Sequence, residues 1–346
     1  ESVLIKANLR HDHLSDWVTS ELLTQAASAD LIIPEALKNV ELKDLQFLFR
    51  LAQKLKLDRE QVRGKPEIQT RPDFDFKLQK PSADQPLGDE VVQITQRKRG
   101  EPLDLIVAEA MILTNHHWGR LLADKGVPGI YRSQAALAPG VKVRMSTKPL
   151  IHAGIGVDCY AWSSSPLRRY VDMVNQWQLI ACIKQGSTAA LVAPFKPKDA
   201  SLFAIISGFD DAYAAYRNIQ NQMELYWTLR YLAQNNIQEL DAVIIKDGLA
   251  RANELPLVLS IVGGPQAQRG DQVKLKITMV NELLLAIQAT VIEVFSHPEN
   301  TSEASDDAES EEELGVTPVA IAMDLDDSPD SSEAVPEAIQ VLSTGA

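Results

Sequence analysis

The stretch YAWSSSPLRRYVDMVNQWQL, from Tyr160 to Leu179, places three serines, a proline and two arginines directly in front of an amphipathic run. Serine is a preferred N-cap residue, and proline is favoured at the first position of a helix. The pattern therefore predicts a helix that begins after Ser164 or Ser165, with Pro166 as its first residue, and ends near Lys184.

Arg168 and Arg169 fall in the first turn of this predicted helix, where the helix dipole disfavours a cation by about 0.3–1 kcal/mol. The arrangement becomes favourable if an anion binds, because backbone N–H groups, serine hydroxyls and a guanidinium would converge on a phosphate. In the alternative interpretation, Arg168 pairs with Asp172 one turn later and Arg169 is solvated. The local residues leave both interpretations open.

The net charge of −13 is concentrated at the end of the chain. The segment 298–346 contains 14 of the 47 acidic residues and none of the 34 basic ones, so the rest of the chain carries a net charge of +1. A neutral body can still bind a polyanion if its bases cluster. We expect the acidic, Ser-rich tail to be disordered.

The remaining chain combines long helical patterns with short β-branched runs. Two strand-like runs, DFDFKLQ and EVVQITQRK, predict a hairpin, and the segment 241–295 predicts a small five-stranded barrel. The fold class is therefore α+β. The two cysteines, Cys159 and Cys182, make no disulfide framework, which favours the cytoplasm, and no apolar run reaches the roughly 18–20 residues of a membrane span.

The stretch 146–179 resembles the RNB domain of the ribonuclease II-like exoribonucleases. That family's signature is a Gly-x-Gly strand, a tyrosine, and then Thr/Ser-Ser-Pro-hydrophobic-Arg-Arg/Lys-Tyr-x-Asp. The segments RPDFDF (71–76) and IVAEAMILTNHHWGRLLADKGVPGIYR (106–132) resemble further family motifs in the same order. The residues that fit the signature are Gly154, Gly156, Tyr160, Ser164, Ser165, Pro166, Arg168, Arg169, Tyr170 and Asp172.

The resemblance implies a 3′-to-5′ exoribonuclease that hydrolyses single-stranded RNA to nucleoside monophosphates with the help of Mg²⁺. It implies three parts: a partial RNB domain (1–236), incomplete at its N-terminus; an S1-like OB barrel (237–296); and the acidic tail (297–346). It further leads us to expect a monomer that binds neither membrane nor DNA.

The resemblance also implies roles for single residues. Arg168 would grip the scissile phosphate, and Glu224 would reach the substrate sugar or phosphate, so these two are the predicted catalytic residues. Phe76 would stack on a base, and Ser164, Ser165, Arg169 and Tyr170 complete the predicted RNA-binding set. Simpler alternatives remain open, because Phe76 also fits a core strand position and Glu224 a solvated helix face.

The metal-binding aspartates of the family have no counterpart in this sequence. We therefore assign no metal ligand, expect the Mg²⁺ ligands upstream of Glu1, and predict that the chain alone is inactive. His116 and His117 are adjacent on a predicted helix and face different ways, so we expect them to pack rather than share an ion.

Two other functions remain as alternatives. One is a non-catalytic RNA-binding protein, in which the barrel and the arginines hold RNA without cutting it. The other is a regulatory partner whose acidic tail mimics nucleic acid, although solubility is the more common reason for such a tail.

Overall fold

The computed structural model describes residues 18–24, 42–67, 73–80, 90–97, 101–138 and 141–296. The acidic tail lies outside the described residues. Within these ranges, no helix is long and apolar enough to cross a membrane.

The described residues form six α-helices and nine strands in a mixed α+β arrangement. The helices are α1 (Ser20–Thr24), α2 (Leu42–Arg63), α3 (Pro102–Asp124), α4 (Tyr170–Gln185), α5 (Ala189–Val192) and α6 (Ala200–Gln234), with a 3₁₀ turn at Gly186–Thr188. The strands are β1 (Asp73–Gln79), β2 (Val91–Arg97), β3 (Tyr131–Ser133), β4 (Arg144–Ser146), β5 (Glu239–Lys246), β6 (Leu249–Ala252), β7 (Val258–Ile261), β8 (Gln272–Asn281) and β9 (Ala286–Ser296).

The predicted hairpin is confirmed: β1 and β2 pair antiparallel, with Phe76 opposite Ile94. Its second strand is held against the C-terminal end of α6. The backbone N–H of Val92 donates to Gln234 Oε1 at 3.0 Å, and Gln234 Nε2 donates to the carbonyl of Glu90 at 2.8 Å. Val92 is buried and Ile94 packs against the barrel core, so one face of the hairpin is an inner face.

The predicted barrel is also confirmed, and it is closed, with strand order β5-β6-β7-β9-β8. All of its pairings are antiparallel except that between β7 and β9. Closure removes the unpaired strand edges that promote aggregation. Leu229 and Leu232, near the end of α6, pack into the barrel core, whereas Leu202, near its start, belongs to the core beneath α4. One helix therefore connects both parts of the molecule.

The helix α2 packs on α3 through apolar side chains, and one buried arginine adds polar contacts to the rest of the core. Arg59 Nε donates to Glu109 Oε2 on α3 at 3.0 Å, and Arg59 Nη1 donates to the carbonyl of Ile155 at 2.6 Å. Glu67 completes the surroundings of the guanidinium. The hydrogen bonds matter because a buried charge is tolerated only when it is paired and fully hydrogen-bonded.

Gly156 lies against the backbone of α2 at Arg59. Its φ is +79°, and a Cβ added there would lie 2.4 Å from the backbone oxygen of Arg59. Gly64, which ends α2, has a similar φ of +81° but has no atom within 4 Å of such a Cβ. Comparison of substitutions at the two glycines therefore distinguishes the cost of a positive φ from the cost of a steric clash.

We predict that Gly156→Ala destabilises the fold far more than Gly64→Ala. Both substitutions place an L-residue at positive φ, at a cost of about 1–2 kcal/mol. Only Gly156→Ala also pushes a methyl group into backbone, which adds roughly 1–3 kcal/mol. Urea unfolding of both variants measures the difference, and equal losses would show that α2 does not pack this closely on Gly156.

Candidate functional site

The segment Ser164–Arg169, here called the arginine turn, is not helical, and the predicted helix start is wrong. The backbone N–H groups of Arg168 and Arg169 both donate to the carbonyl of Ser165, at 3.2 and 3.1 Å. Arg169 then has extended backbone (φ −123°, ψ 117°), and α4 begins at Tyr170. Neither arginine lies in the first turn of a helix, so the dipole argument does not apply to them.

The physical reason is the position of Asp172, which is fully buried in the first turn of α4. Its Oδ1 accepts the backbone N–H of Ser165 at 2.8 Å. The same carboxylate accepts two hydrogen bonds from Arg169, from Nε and Nη2, each at 2.8 Å. The carboxylate thus ties both ends of the arginine turn to the helix that follows it.

Arg169 is only 4% exposed, and its guanidinium is engaged in this bidentate pair. The alternative interpretation of the sequence paired Asp172 with Arg168, whereas in the structure Arg169 is the residue that pairs with it. This burial does not support the predicted contact of Arg169 with RNA. The structure gives Arg169 a positioning role instead.

A tryptophan supports the pair from the side. The guanidinium carbon of Arg169 lies 4.1 Å from the ring centroid of Trp162, and that of Arg132 lies 4.0 Å from the same centroid. All three side chains are buried. Cation–π contacts are worth up to about 2 kcal/mol when desolvated, so this stack contributes to the rigidity of the turn.

Buried amides hold the extended segment that leads into the arginine turn. The backbone N–H of Ser163 donates to Asn115 Oδ1 at 3.0 Å, and Gln176 Nε2 donates to the Ser163 carbonyl at 2.7 Å. Asn175 Nδ2 donates to the carbonyls of Trp162 and Ile130, at 2.7 and 2.8 Å. α3 and α4 thereby fix the backbone on both sides of Trp162.

Arg168, by contrast, is exposed, and its Nη2 lies 3.4 Å from Ser165 Oγ. Ser164 Oγ is buried and has no hydrogen-bond partner within the part of the chain that the structure describes. The structure therefore places one serine hydroxyl, that of Ser165, next to the Arg168 guanidinium. Such a hydroxyl and a guanidinium are suitable donors for a phosphate oxygen.

Tyr170 and Trp177 add an exposed aromatic pair to this segment. They are 51% and 38% exposed, and their rings meet edge-to-face with centroids 6.1 Å apart. The sequence analysis assigned Tyr170 but missed Trp177. The i, i+7 spacing of two aromatics on one helix face is the signal that could have identified it.

The other two predicted site residues lie on different elements. Phe76 is half-buried on β1, opposite Ile94 and therefore on the inner face of the hairpin, which agrees with its simpler interpretation as a packing residue. Glu224 lies on α6 and accepts a hydrogen bond from Gln220 Nε2 at 2.9 Å, one turn earlier. Of the predicted set, Ser164, Ser165, Arg168 and Arg169 lie in the arginine turn and Tyr170 directly follows it.

Arg168 lines neither of two cavities in the part of the chain that the structure describes. One, of about 400 Å³, is an apolar groove between α2 and α3 that is closed at one end by Gly156, Val157 and Asp158. The other, of about 480 Å³, lies between β2, the end of α6 and the barrel.

A Mg²⁺ site is not offered by the residues described. Among them, one group of three side chains could hold a metal ion: His116, Asp158 and Cys159. Mg²⁺ requires oxygen ligands in octahedral geometry, whereas this group supplies one imidazole, one carboxylate and one thiol. The donor set does not fit Mg²⁺.

His152 is a buried neutral side chain at the base of the extended segment. Its Nδ1 accepts the backbone N–H of Ile155 at 3.2 Å, and its ring meets that of Tyr160 edge-to-face. Burial, reinforced by the charge of Arg132, lowers the pKa of His152 to about 3. The imidazole of His152 is therefore neutral in the folded protein near neutral pH.

Comparison with known proteins gives a consistent result. A protein-family model described as RNB domain matches residues 5–141 and 141–185, just over half of the chain. An uncharacterized ribonuclease of Synechocystis sp. is 26% identical over a 221-residue alignment that covers 55% of this chain and 32% of that protein.

Two solved structures share the fold. An active-site mutant of the Dss1 exoribonuclease from Candida glabrata aligns with a TM-score of 0.59 and 20% identity, covering 81% of this chain and 38% of that one. RNase R of Mycoplasma genitalium, in complex with ribose-methylated single-stranded RNA, aligns with a TM-score of 0.58 and 14% identity, covering 75% and 51%. The chain thus spans about a third to a half of these relatives.

We predict unequal stability effects for alanine substitution of the two adjacent arginines. Arg169→Ala leaves the buried carboxylate of Asp172 uncompensated, which costs about 3–5 kcal/mol. Arg168→Ala removes an exposed side chain and changes the free energy of unfolding by no more than about 0.5 kcal/mol. Chemical denaturation tests both, and a comparable loss from Arg168→Ala would contradict the assignment.

We predict that His152 makes the fold acid-sensitive. Because the folded pKa lies below the unfolded value, the stabilisation is complete above about pH 6.5 and is lost as the pH falls towards 3. From pH 7 to pH 5 the loss attributable to His152 is about 2 kcal/mol. The difference between wild type and His152→Gln across this range measures it, and parallel curves would exclude His152 as the cause.

Proposed function

Because the chain belongs to the RNB domain family, we propose that it is part of a 3′-to-5′ exoribonuclease that releases nucleoside monophosphates from single-stranded RNA. The chain spans about a third of the curated ribonuclease and about half of the RNase R structure. The proposal therefore concerns the role of these residues within the whole protein.

The observation that carries the proposal is that, of two adjacent arginines, Arg169 is buried and Arg168 is exposed. Arg169 is buried and holds the turn, whereas Arg168 is exposed beside the hydroxyl of Ser165. A guanidinium presented in this way is suited to two hydrogen bonds with a phosphate. We propose that Arg168 grips the scissile phosphate and stabilises the charge that develops on it.

The exposed aromatic pair supports an RNA partner. Tyr170 and Trp177 lie on α4 directly after the arginine turn, so a nucleotide whose phosphate contacts Arg168 could place its base against them. Stacking of a base on an aromatic side chain is worth roughly 1–3 kcal/mol and tolerates any base. The RNase R relative was solved with single-stranded RNA, which agrees with this partner class.

The barrel supports the same conclusion. We propose that it is an OB fold of the S1 type, because β9 is inserted between β7 and β8 and pairs parallel to β7. Five-stranded Greek-key barrels of this kind bind oligonucleotides. We assign the barrel the role of holding the RNA on the 5′ side of the nucleotide that contacts Arg168.

The hydrolytic chemistry of the whole enzyme is expected to need Mg²⁺, and we propose that the Mg²⁺ ligands lie outside the described residues. His116, Asp158 and Cys159 do not fit this ion. The same observation favours a second candidate function, in which the chain by itself binds RNA without cutting it. Hydrolysis and binding must therefore be measured separately.

We predict that the chain binds single-stranded RNA through Arg168. Arg168→Ala should weaken binding by about tenfold, the equivalent of one charge-assisted hydrogen bond of about 1.5 kcal/mol. It should also reduce the slope of log K against log salt by about 0.7, because one phosphate contact is lost. Fluorescence anisotropy with labelled oligouridine and oligoadenine at several salt concentrations measures both quantities.

Arg50→Ala is the matched control, because it removes the same charge from the exposed face of α2. Equal effects of the two substitutions would overturn the proposed role of Arg168. Release of nucleoside monophosphates is followed in parallel with Mg²⁺. We expect none from this chain alone, and robust release would show that the acids needed for hydrolysis are present in it.

A further inference from the structure

A histidine, an aspartate and a cysteine that the sequence separates meet at the end of the groove between α2 and α3. His116 lies on α3, and Asp158 and Cys159 are consecutive in the extended segment. His116 Nδ1 lies 3.2 Å from Asp158 Oδ1. One ring nitrogen of His116, a carboxylate oxygen of Asp158 and the Cys159 Sγ all lie within 4.8 Å of one another.

We propose that His116, Asp158 and Cys159 bind a thiophilic divalent cation of the Zn²⁺ class. One imidazole, one carboxylate and one thiolate are all ligands that Zn²⁺ accepts. With metal–ligand distances of about 2.0–2.3 Å, ligand atoms in a tetrahedral shell lie roughly 3.3–3.5 Å apart. The His116–Asp158 pair is close to this spacing, so binding requires rotation of the Cys159 side chain and the His116 tautomer that leaves Nδ1 unprotonated.

The position of the group allows an ion to enter from solvent. Asp158 is 60% exposed, and both it and His116 line the groove, whereas Cys159 is buried behind them. Three protein ligands leave one tetrahedral position for water or for a group in the groove. The adjacent His117 also lines the groove but does not belong to the group, so it provides a natural control.

Two features oppose binding and thereby select the cation. Arg120 Nη1 lies 3.2 Å from Asp158 Oδ2, which leaves Oδ1 as the ligand atom. The Arg120 side chain is 54% exposed, so it can move away from the carboxylate. Cys159 is a buried thiol, so binding must release its proton to solvent. A cation that forms strong bonds to thiolate compensates this cost, and Mg²⁺ does not.

The consequence of binding would be a cross-link between α3 and the chain that leads into the arginine turn. The two elements already touch, because the Cys159 S–H donates to the His116 carbonyl at 3.7 Å and His116 Nδ1 lies 3.1 Å from the Cys159 carbonyl. A bound ion stabilises only the folded state. The site therefore couples cation availability to the stability of the segment that carries Arg168.

The test is a titration of the full chain, stripped with chelator, with Co²⁺ as a spectroscopic substitute for Zn²⁺. We expect one equivalent to produce the charge-transfer absorption of a cobalt–thiolate bond, and Zn²⁺ to abolish it by displacement. Cys159→Ala and His116→Ala should remove the absorption. Cys182→Ala and His117→Ala, matched in residue type, should retain it.

Thermal unfolding provides a second readout that does not depend on absorption. Zn²⁺ should raise the Tm of the wild type and of Cys182→Ala, in a concentration-dependent way, and should leave Asp158→Asn unchanged. Asp158→Asn changes one exposed side chain, so it tests the site even if Cys159→Ala does not fold. Absence of a thiolate band in wild type, or equal loss in the control variants, would overturn the proposal whatever the outcome of the RNA experiments.

Discussion

The buried ion pair between Arg169 and Asp172 is the interaction on which the candidate site depends. Removing two charges from water costs several kcal/mol per ion, and only close bidentate geometry with further hydrogen bonds offsets this. Here the carboxylate accepts two bonds from the guanidinium and one from the backbone of Ser165. The pair therefore closes the arginine turn and determines where α4 begins.

Because Asp172 engages Arg169, Arg168 is directed outward. The two residues are chemically identical neighbours, yet one is buried against Trp162 and the other is exposed beside Ser165 Oγ. A rigid support beneath an exposed guanidinium reduces the conformational entropy that binding a phosphate would cost. The buried amides of Asn115 and Asn175 extend this support to α3 and to the chain before the turn.

Much of the fold could be predicted from the sequence because local signals agreed with the tertiary structure. Pro102 begins α3 and Gly64 follows the end of α2, since proline and glycine have strong local conformational preferences. The hairpin and the barrel were predicted from β-branched runs separated by turn residues. The start of α4 could not be predicted in this way. The sequence has a capping signal at Ser164 and Pro166, but the buried carboxylate of Asp172, eight and six residues later, overrides it.

By itself the sequence determined the α+β class, the barrel and the resemblance to the RNB domain, because periodicity, turn residues and motif spacing are properties of the chain. Only the tertiary structure decided which arginine is buried and that Phe76 faces inward. It alone brought His116 to Asp158 and Cys159, 42 and 43 residues later in the chain. Burial and the meeting of distant side chains depend on how elements pack, and no local pattern records that packing.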